Sequence, residues 1–246
     1  MIGGLAAYLR WHLRDAALRA FAPVIIAFGL LGIPILTMAQ ASGWAALRAD
    51  GDAQRGLLAG YAQLVPTVIT LGALLVASGF VAADRDRGYV RFLFSAPVVP
   101  WRYYLQRFVV GLTAFVAACA LVPIGFGLMI TARPVAPVLA SAALYGYLIG
   151  ALAMLAGALT RRDGAVVLGI VMLSSILQPL AAQAELAGWV EFLAAILPPL
   201  GPADAVRGAV LAGRAVDRPA LVHVLGYATG MLVSALVLIR RAPLVR

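Results

Sequence analysis

Lysine is absent from this chain of 246 residues, and all 19 of its basic residues are arginine. Acidic residues number ten, histidine occurs twice and cysteine once. Each shortage closes a route. A Walker-type phosphate loop needs a lysine to reach the phosphates, so the chain cannot bind ATP in that way. Cys119 alone cannot make an internal disulfide and reads as a small core residue. Only His12 and His223 exist, with no His-Glu-x-x-His pair for zinc, and no metal site is expected. No serine nucleophile has a plausible His and Asp partner in the apolar segments, so no catalytic residue is assigned. Charged residues of all kinds make up 12% of the chain, against ~25% in an ordinary soluble domain. A soluble protein of this size could not cover its surface with so few. Over most of its area the solvent must be something other than water.

Hydrophobic residues fill the gap, at 63%. They form six charge-free runs, 20–47, 56–83, 108–132, 134–160, 164–184 and 219–239, each longer than 20 residues. A bilayer core of ~30 Å needs about 20 helical residues to cross it. The runs are continuously apolar, whereas a membrane strand alternates over ~10 positions. The reading is an all-α integral membrane protein, one domain over 1–246. Its six spans are placed at 20–40, 61–83, 108–131, 138–160, 164–183 and 221–239. The first run reads as an anchor, being too long for the ~7–15-residue apolar core of a cleaved signal.

The distribution of charge orients the spans. With the N-terminus inside, the inner segments 1–19, 84–107, 161–163 and 240–246 hold thirteen of the nineteen arginines but four of the ten acids. The whole net charge of +9 then lies on one face and none on the other. This matches the positive-inside rule, puts both termini in the cytoplasm, and argues against nucleic acid as the partner of the arginines.

Three stretches outside the spans carry information. Residues 1–19 suggest an interfacial helix, with Arg10 and Arg14 on one face and Tyr8 and Trp11 at headgroup level; simple continuation into the first span is the plain alternative. The loop 84–107 opens on Asp84-Arg85-Asp86-Arg87-Gly88, continues as Tyr89-Val90-Arg91-Phe92-Leu93-Phe94, and is stopped by Pro97 and Pro100. Trp101, Tyr103 and Tyr104 mark the return into the membrane. An apolar cytoplasmic helix is costly unless covered, either by the protein's own helix ends or by a docking partner. On the other face, 184–220 is too long for a turn and too broken for a span. Apolar Phe192–Leu197, then Pro198-Pro199-Leu200-Gly201-Pro202, then Ala203–Leu211 predict two short helices, re-entrant at the outer leaflet. Irregular backbone at that depth must be buried in protein or line a cavity.

Polar residues within the spans are few. Gln63, Thr67 and Thr70 recur at helical spacing in the second, and Ser174, Ser175 and Gln178 in the fifth. These six are the candidate substrate path. No Asp, Glu or Arg lies deep in any span, so an ion-coupled carrier has little to work with beyond His223, near the outer end of the sixth. Gly146-x-x-x-Gly150 and Gly226-x-x-x-Gly230 permit close helix approach, a spacing common by chance.

The order of six spans, a charged-then-apolar loop after span two and broken helices before span six resembles the type-2 permease class of ATP-binding cassette exporters. In that family the loop reads acidic-x-acidic-x-Gly, two apolar positions and Pro-Val. Asp84, Asp86, Gly88, Leu93, Phe94, Pro97 and Val98 match it; Tyr89 and Arg91 depart, where Thr and Glu are common. The closing stretch, from Leu197-Pro198-Pro199 to Arg240-Arg241-Ala242-Pro243-Leu244, is similar as well. The resemblance implies a cytoplasmic coupling helix after span two. Its candidate contacts to an ATPase are Asp84, Arg85, Asp86, Arg87, Gly88, Tyr89, Arg91, Phe92, Leu93, Phe94 and Pro97. It further implies two permease chains, as homo- or heterodimer, above separate ATPase subunits that bind the ATP and Mg, in the lipid of a bacterial inner membrane. The apolar spans favour a hydrophobic or amphipathic cargo. A haem-exporter-like permease, a non-transporting scaffold or assembly factor, and a secondary carrier using His223 stay open as alternatives.

Overall fold

The computed structural model describes residues 2–78, 80–82, 84, 99–183 and 188–241. Among them are ten helices and no strand. In chain order they are α1 (Ile2–Ser42), α2 (Trp44–Ala49), α3 (Gly51–Ala77), α4 (Pro100–Cys119), α5 (Leu121–Met129), α6 (Val135–Leu159), α7 (Asp163–Gln183), α8 (Gly188–Ile196), α9 (Leu200–Leu211) and α10 (Arg218–Arg241). Six stretches are long and apolar enough to cross a membrane: Ala17–Ser42, Gly51–Ala77, Pro100–Met129, Val135–Leu159, Asp163–Ala181 and Arg218–Arg241. Each contains most of one predicted span, so the count of six stands. The segment before the first span does not form a separate helix: α1 runs unbroken from Ile2.

Local chemistry explains the breaks. Gly43 ends α1 with φ 82°, and its N–H bonds Ala39 O; an L side chain there would be strained. Asp50 then caps α3, its Oδ1 accepting from the N–H groups of Asp52 and Ala53. The Asp-Gly-Asp turn is therefore a helix cap. The third span is two helices in series because Pro123, near the start of α5, denies Cys119 O its usual donor and crowds it. Arg48 donates to Leu128 O and Met129 O at the far end of that span, where carbonyls lack helical partners.

α6 is the axis. It packs against α3, α4, α7, α9 and α10, whereas α1 lies on the far side against α3 and α4. Small residues permit this. A Cβ on Gly146 would lie 2.6 Å from Leu112 Cδ1 and 3.0 Å from Phe115 Cδ1, and one on Gly150 would lie 2.7 Å from Phe108 Cε2. The first glycine pair thus seats the side chains of α4. The second pair does not: nothing lies within 4 Å of a Cβ at Gly226 or Gly230. Gly150→Leu is therefore expected to destabilise the fold by ~1–3 kcal/mol through overpacking. Gly226→Leu should stay within about 0.5 kcal/mol. Melting of both variants in mild detergent checks the contrast; equal melting would mean that the α4–α6 contact tolerates the extra volume.

Candidate functional site

Two polar sites interrupt the apolar packing, at different depths.

The first sits where the chain leaves α3 and returns through α4. Asp84 is 1% exposed, and its Oδ2 accepts from Arg107 Nη1 at 2.6 Å and from Tyr103 OH at 3.4 Å. The arginine is 5% exposed. Both partners come from the first two turns of α4, one turn apart, so they share a face. A buried carboxylate keeps its charge only if such partners replace water. At the same end, Arg19 of α1 donates to Ser78 O at 2.7 Å, where α3 stops. Three helices are thus tied at the two ends of the loop that sequence reasoning singled out. Arg85, Asp86, Arg87, Gly88, Tyr89, Arg91, Phe92, Leu93, Phe94 and Pro97 lie outside the described residues. Asp84 was read beside them as a contact for a partner; its side chain is instead inside the protein.

The second site is built by the broken helices. Pro198 and Pro199 separate α8 from α9, and Gln178 of α7 holds the break. Its Nε2 donates to Pro198 O at 2.6 Å, and its Oε1 accepts from Gly201 N at 2.8 Å. Tyr227 of α10 anchors the end of α8 by donating to Ile196 O at 2.5 Å. So held, α9 packs against α6, α7 and α10. It carries Asp204 and Arg207 to the middle of the bundle. Arg207 Nη1 donates to Pro66 O at 3.1 Å and to Thr70 Oγ1 at 2.9 Å. Its Nη2 pairs with Asp204 Oδ1, which also accepts from Tyr145 OH. The guanidinium lies over the Tyr145 ring, 4.3 Å from its centroid, a cation–π contact that adds to the pair.

Depth gives this cluster its meaning. Tyr145 is ten residues along α6 from Val135, hence ~15 Å at 1.5 Å per residue, about halfway through the span. The spans themselves contain no deep acid or arginine, as read from the sequence. The broken segment supplies both. An ionisable pair at that level needs polar partners, which Tyr145 and Thr70 supply, and makes this cluster a candidate functional region, with the Asp204 side chain still 54% exposed.

Beside the cluster lies a cavity of about 450 Å³ between α7, α8, α9 and α10, with Ser174, Ser175, Gln178, Asp204 and His223 among its lining residues. Ser174 and Ser175 donate to Ile170 O and Val171 O of their own helix, each at 2.8 Å. A second, apolar cavity of about 320 Å³ lies between α1, α3 and α7, lined by Pro23, Leu71 and Thr67 among others. The six candidate path residues therefore do not line one space. Ser174, Ser175 and Gln178 face the polar cavity and Thr67 the apolar one. Thr70 is held by Arg207, and Gln63 is exposed on α3, lining neither. His223, the one residue an ion-coupled carrier could have used, is exposed at the polar cavity. Sequence reasoning missed Asp204, Arg207 and Tyr145. The available signal was an Asp and an Arg at i, i+3 on the short helix that follows a Pro-Pro break. Among the described residues no group of His, Cys, Asp and Glu could hold a metal ion.

Comparison with known proteins agrees with this architecture. The family model described as "ABC-2 family transporter protein" matches residues 33–239, a stretch that takes in the last part of the first span, all of the second to fifth, and all but the last two residues of the sixth. No curated protein matches the chain.

Proposed function

This chain belongs to the ABC-2 transporter family and is a membrane permease of that class, and from that premise we propose that it is the permease subunit of an ATP-driven exporter. Two permease chains form the path, and separate ATPase subunits bind ATP and Mg beneath them. The cargo is hydrophobic or amphipathic. The chain sits in a bacterial cytoplasmic membrane with both termini in the cytoplasm, in keeping with its arginine asymmetry. The N-terminal part of α1, ahead of the first span, reaches the cytoplasmic headgroup layer.

The observation that carries the coupling part of this reading is the buried Asp84–Arg107 pair. The loop between α3 and α4 starts at a side chain locked into α4, and α4 is packed on α1, α3 and α6. A push on the loop would therefore move packed helices rather than a slack connection. In this proposal the stretch around Gly88–Ser95 is the coupling helix that receives the push, with Phe92, Leu93 and Phe94 as its apolar contact. Asp84 anchors that helix. With no lysine for a phosphate loop, energy enters through the partner.

The test is a pull-down of the tagged chain from its native membranes in mild detergent, with mass spectrometry of what accompanies it. A stoichiometric P-loop ATPase is expected with the wild type. Phe92→Asp or Leu93→Asp should reduce its recovery about tenfold or more, as for loss of a buried apolar anchor, with the permease still inserted. Reproducible absence of an ATPase from intact wild-type chain would turn the reading to a scaffold or a secondary carrier. Unchanged recovery in both variants would remove the loop from coupling.

A further inference from the structure

The polar cavity has unused hydrogen-bonding capacity, most of it as acceptor. Most of its polar atoms are occupied. The serine hydroxyls bond their own helix, Gln178 holds the α8–α9 break, and Asp204 Oδ1 serves Tyr145 and Arg207. Two of the lining side chains keep a polar atom with no hydrogen-bond partner among the described residues. Asp204 is 54% exposed, and its Oδ2 accepts no hydrogen bond from a described residue; the imidazole of His223 bonds none either. A carboxylate oxygen only accepts, and a neutral imidazole offers one acceptor and one donor. Alanine, leucine and proline make up much of the remaining wall. Its volume of about 450 Å³ falls within the ~300–1,000 Å³ of small-molecule pockets. That is room for a head group and a short apolar stretch.

Charge selects among head groups. Asp204 is already balanced by Arg207, so the cluster is neutral as it stands. A cationic head group would add an uncompensated charge to a neutral cluster, and an anionic one would face the carboxylate. An uncharged donor, such as a hydroxyl or amide N–H, adds no charge. Its bond to a carboxylate is of the charge-assisted, stronger kind.

We propose that this cavity binds the uncharged, hydrogen-bond-donating head group of an amphipathic molecule, received by Asp204 Oδ2 and His223. The proposal rests on the transporter reading for the site's place on an export path; the binding itself needs only this chain.

The experiment uses the full chain in lipid nanodiscs and three photoactivatable probes. One is a dodecanol carrying a diazirine in its tail, the second has the hydroxyl replaced by methyl, and the third carries a primary ammonium instead. Crosslinked peptides are mapped by mass spectrometry. The alcohol should label peptides of α7 to α10 at least about tenfold more than the methyl analogue, the loss expected for one hydrogen bond to a charged group. The ammonium probe should do no better than the methyl analogue. Ala195→Trp fills the cavity without removing any group of the Asp204 cluster, and should abolish the preference. Asp204→Ala should do the same if it melts like wild type. Equal labelling by alcohol and methyl probes, strongest labelling by the ammonium, or undiminished alcohol labelling in Ala195→Trp would each overturn the proposal. No ATPase enters this assay. Its failure would leave the exporter reading untouched, and an empty pull-down would leave a positive binding result standing.

Discussion

Arg107→Met is expected to be the most damaging single substitution in the described part of the chain, lowering stability by ~3–5 kcal/mol. The substitution leaves the length of the side chain and removes its charge. Asp84, 1% exposed, would then hold a negative charge with Tyr103 OH as its remaining described partner, at 3.4 Å. The cost is that of a stranded buried charge and exceeds the worth of the pair itself. Two consequences separate this account from a simple packing loss. Adding Asp84→Asn to Arg107→Met should recover most of the lost stability, because the stranded charge goes with it. The double variant should nonetheless bind the ATPase without stimulating it, because the anchor of the coupling loop is gone. Thermal melting of the singles and the double in detergent measures the first, and ATPase stimulation in reconstituted membranes the second. A single variant that melts like wild type would show that Asp84 finds other support. A double variant that couples normally would remove the anchor from the mechanism.

The second large effect is expected at Arg207. Its guanidinium joins three elements at once: α9 through Asp204, α3 through Pro66 O and Thr70 Oγ1, and α6 through the ring of Tyr145. Arg207→Met loses all of these and leaves Asp204 with only the tyrosine hydroxyl. About 2–4 kcal/mol is expected, since one partner of a shielded pair is removed but Asp204 keeps some access to solvent. The loss should be local. α9 touches the bundle along one side and ends at Leu211, and Gly213, with φ 65°, then turns the chain away. Amide exchange over 200–211 should rise by ~30-fold or more, while the amides of α6 stay protected. Arg207→Lys should recover little, because an ammonium cannot stack on Tyr145 and reach Pro66, Thr70 and Asp204 together. Exchange that rises equally in α6 would mean global loosening and would refute a local latch. Exchange unchanged in α9 would mean that Gln178 and the proline break hold it unaided.

Much of this was legible in the sequence, for identifiable reasons. The six spans follow from run length and charge exclusion, because hydrocarbon tolerates no unpaired backbone and few charges. The broken segment before span six followed from Pro198, Pro199 and Pro202, and the structure places α8 and α9 on either side of that break. Gln178 was picked out as a polar residue at depth, but its task of bridging Pro198 O and Gly201 N needed coordinates. Asp84 was picked out for its place in a motif and read as facing a partner. A sequence cannot show that a motif's first residue turns inward, because that depends on Arg107, 23 residues later. The two glycine pairs look alike in sequence; only packing distinguishes Gly146 and Gly150, which seat Leu112, Phe115 and Phe108, from Gly226 and Gly230, which seat nothing among the described residues.

The sequence by itself determined the solvent, the number of crossings and the absence of a phosphate loop. Those properties depend on composition and on features a few residues apart along the chain, where helical spacing and bilayer thickness are the only rulers needed. The depth of the charges was decided by the tertiary structure. Asp204 and Arg207 stand in a segment that the linear reading placed no deeper than the outer leaflet. They reach the middle of the bundle because a proline break turns a short helix inward against α6. Whether a charge near a membrane is solvated or buried is set by what surrounds it in three dimensions, and here the surroundings are Tyr145, Thr70 and Pro66, drawn from two other spans.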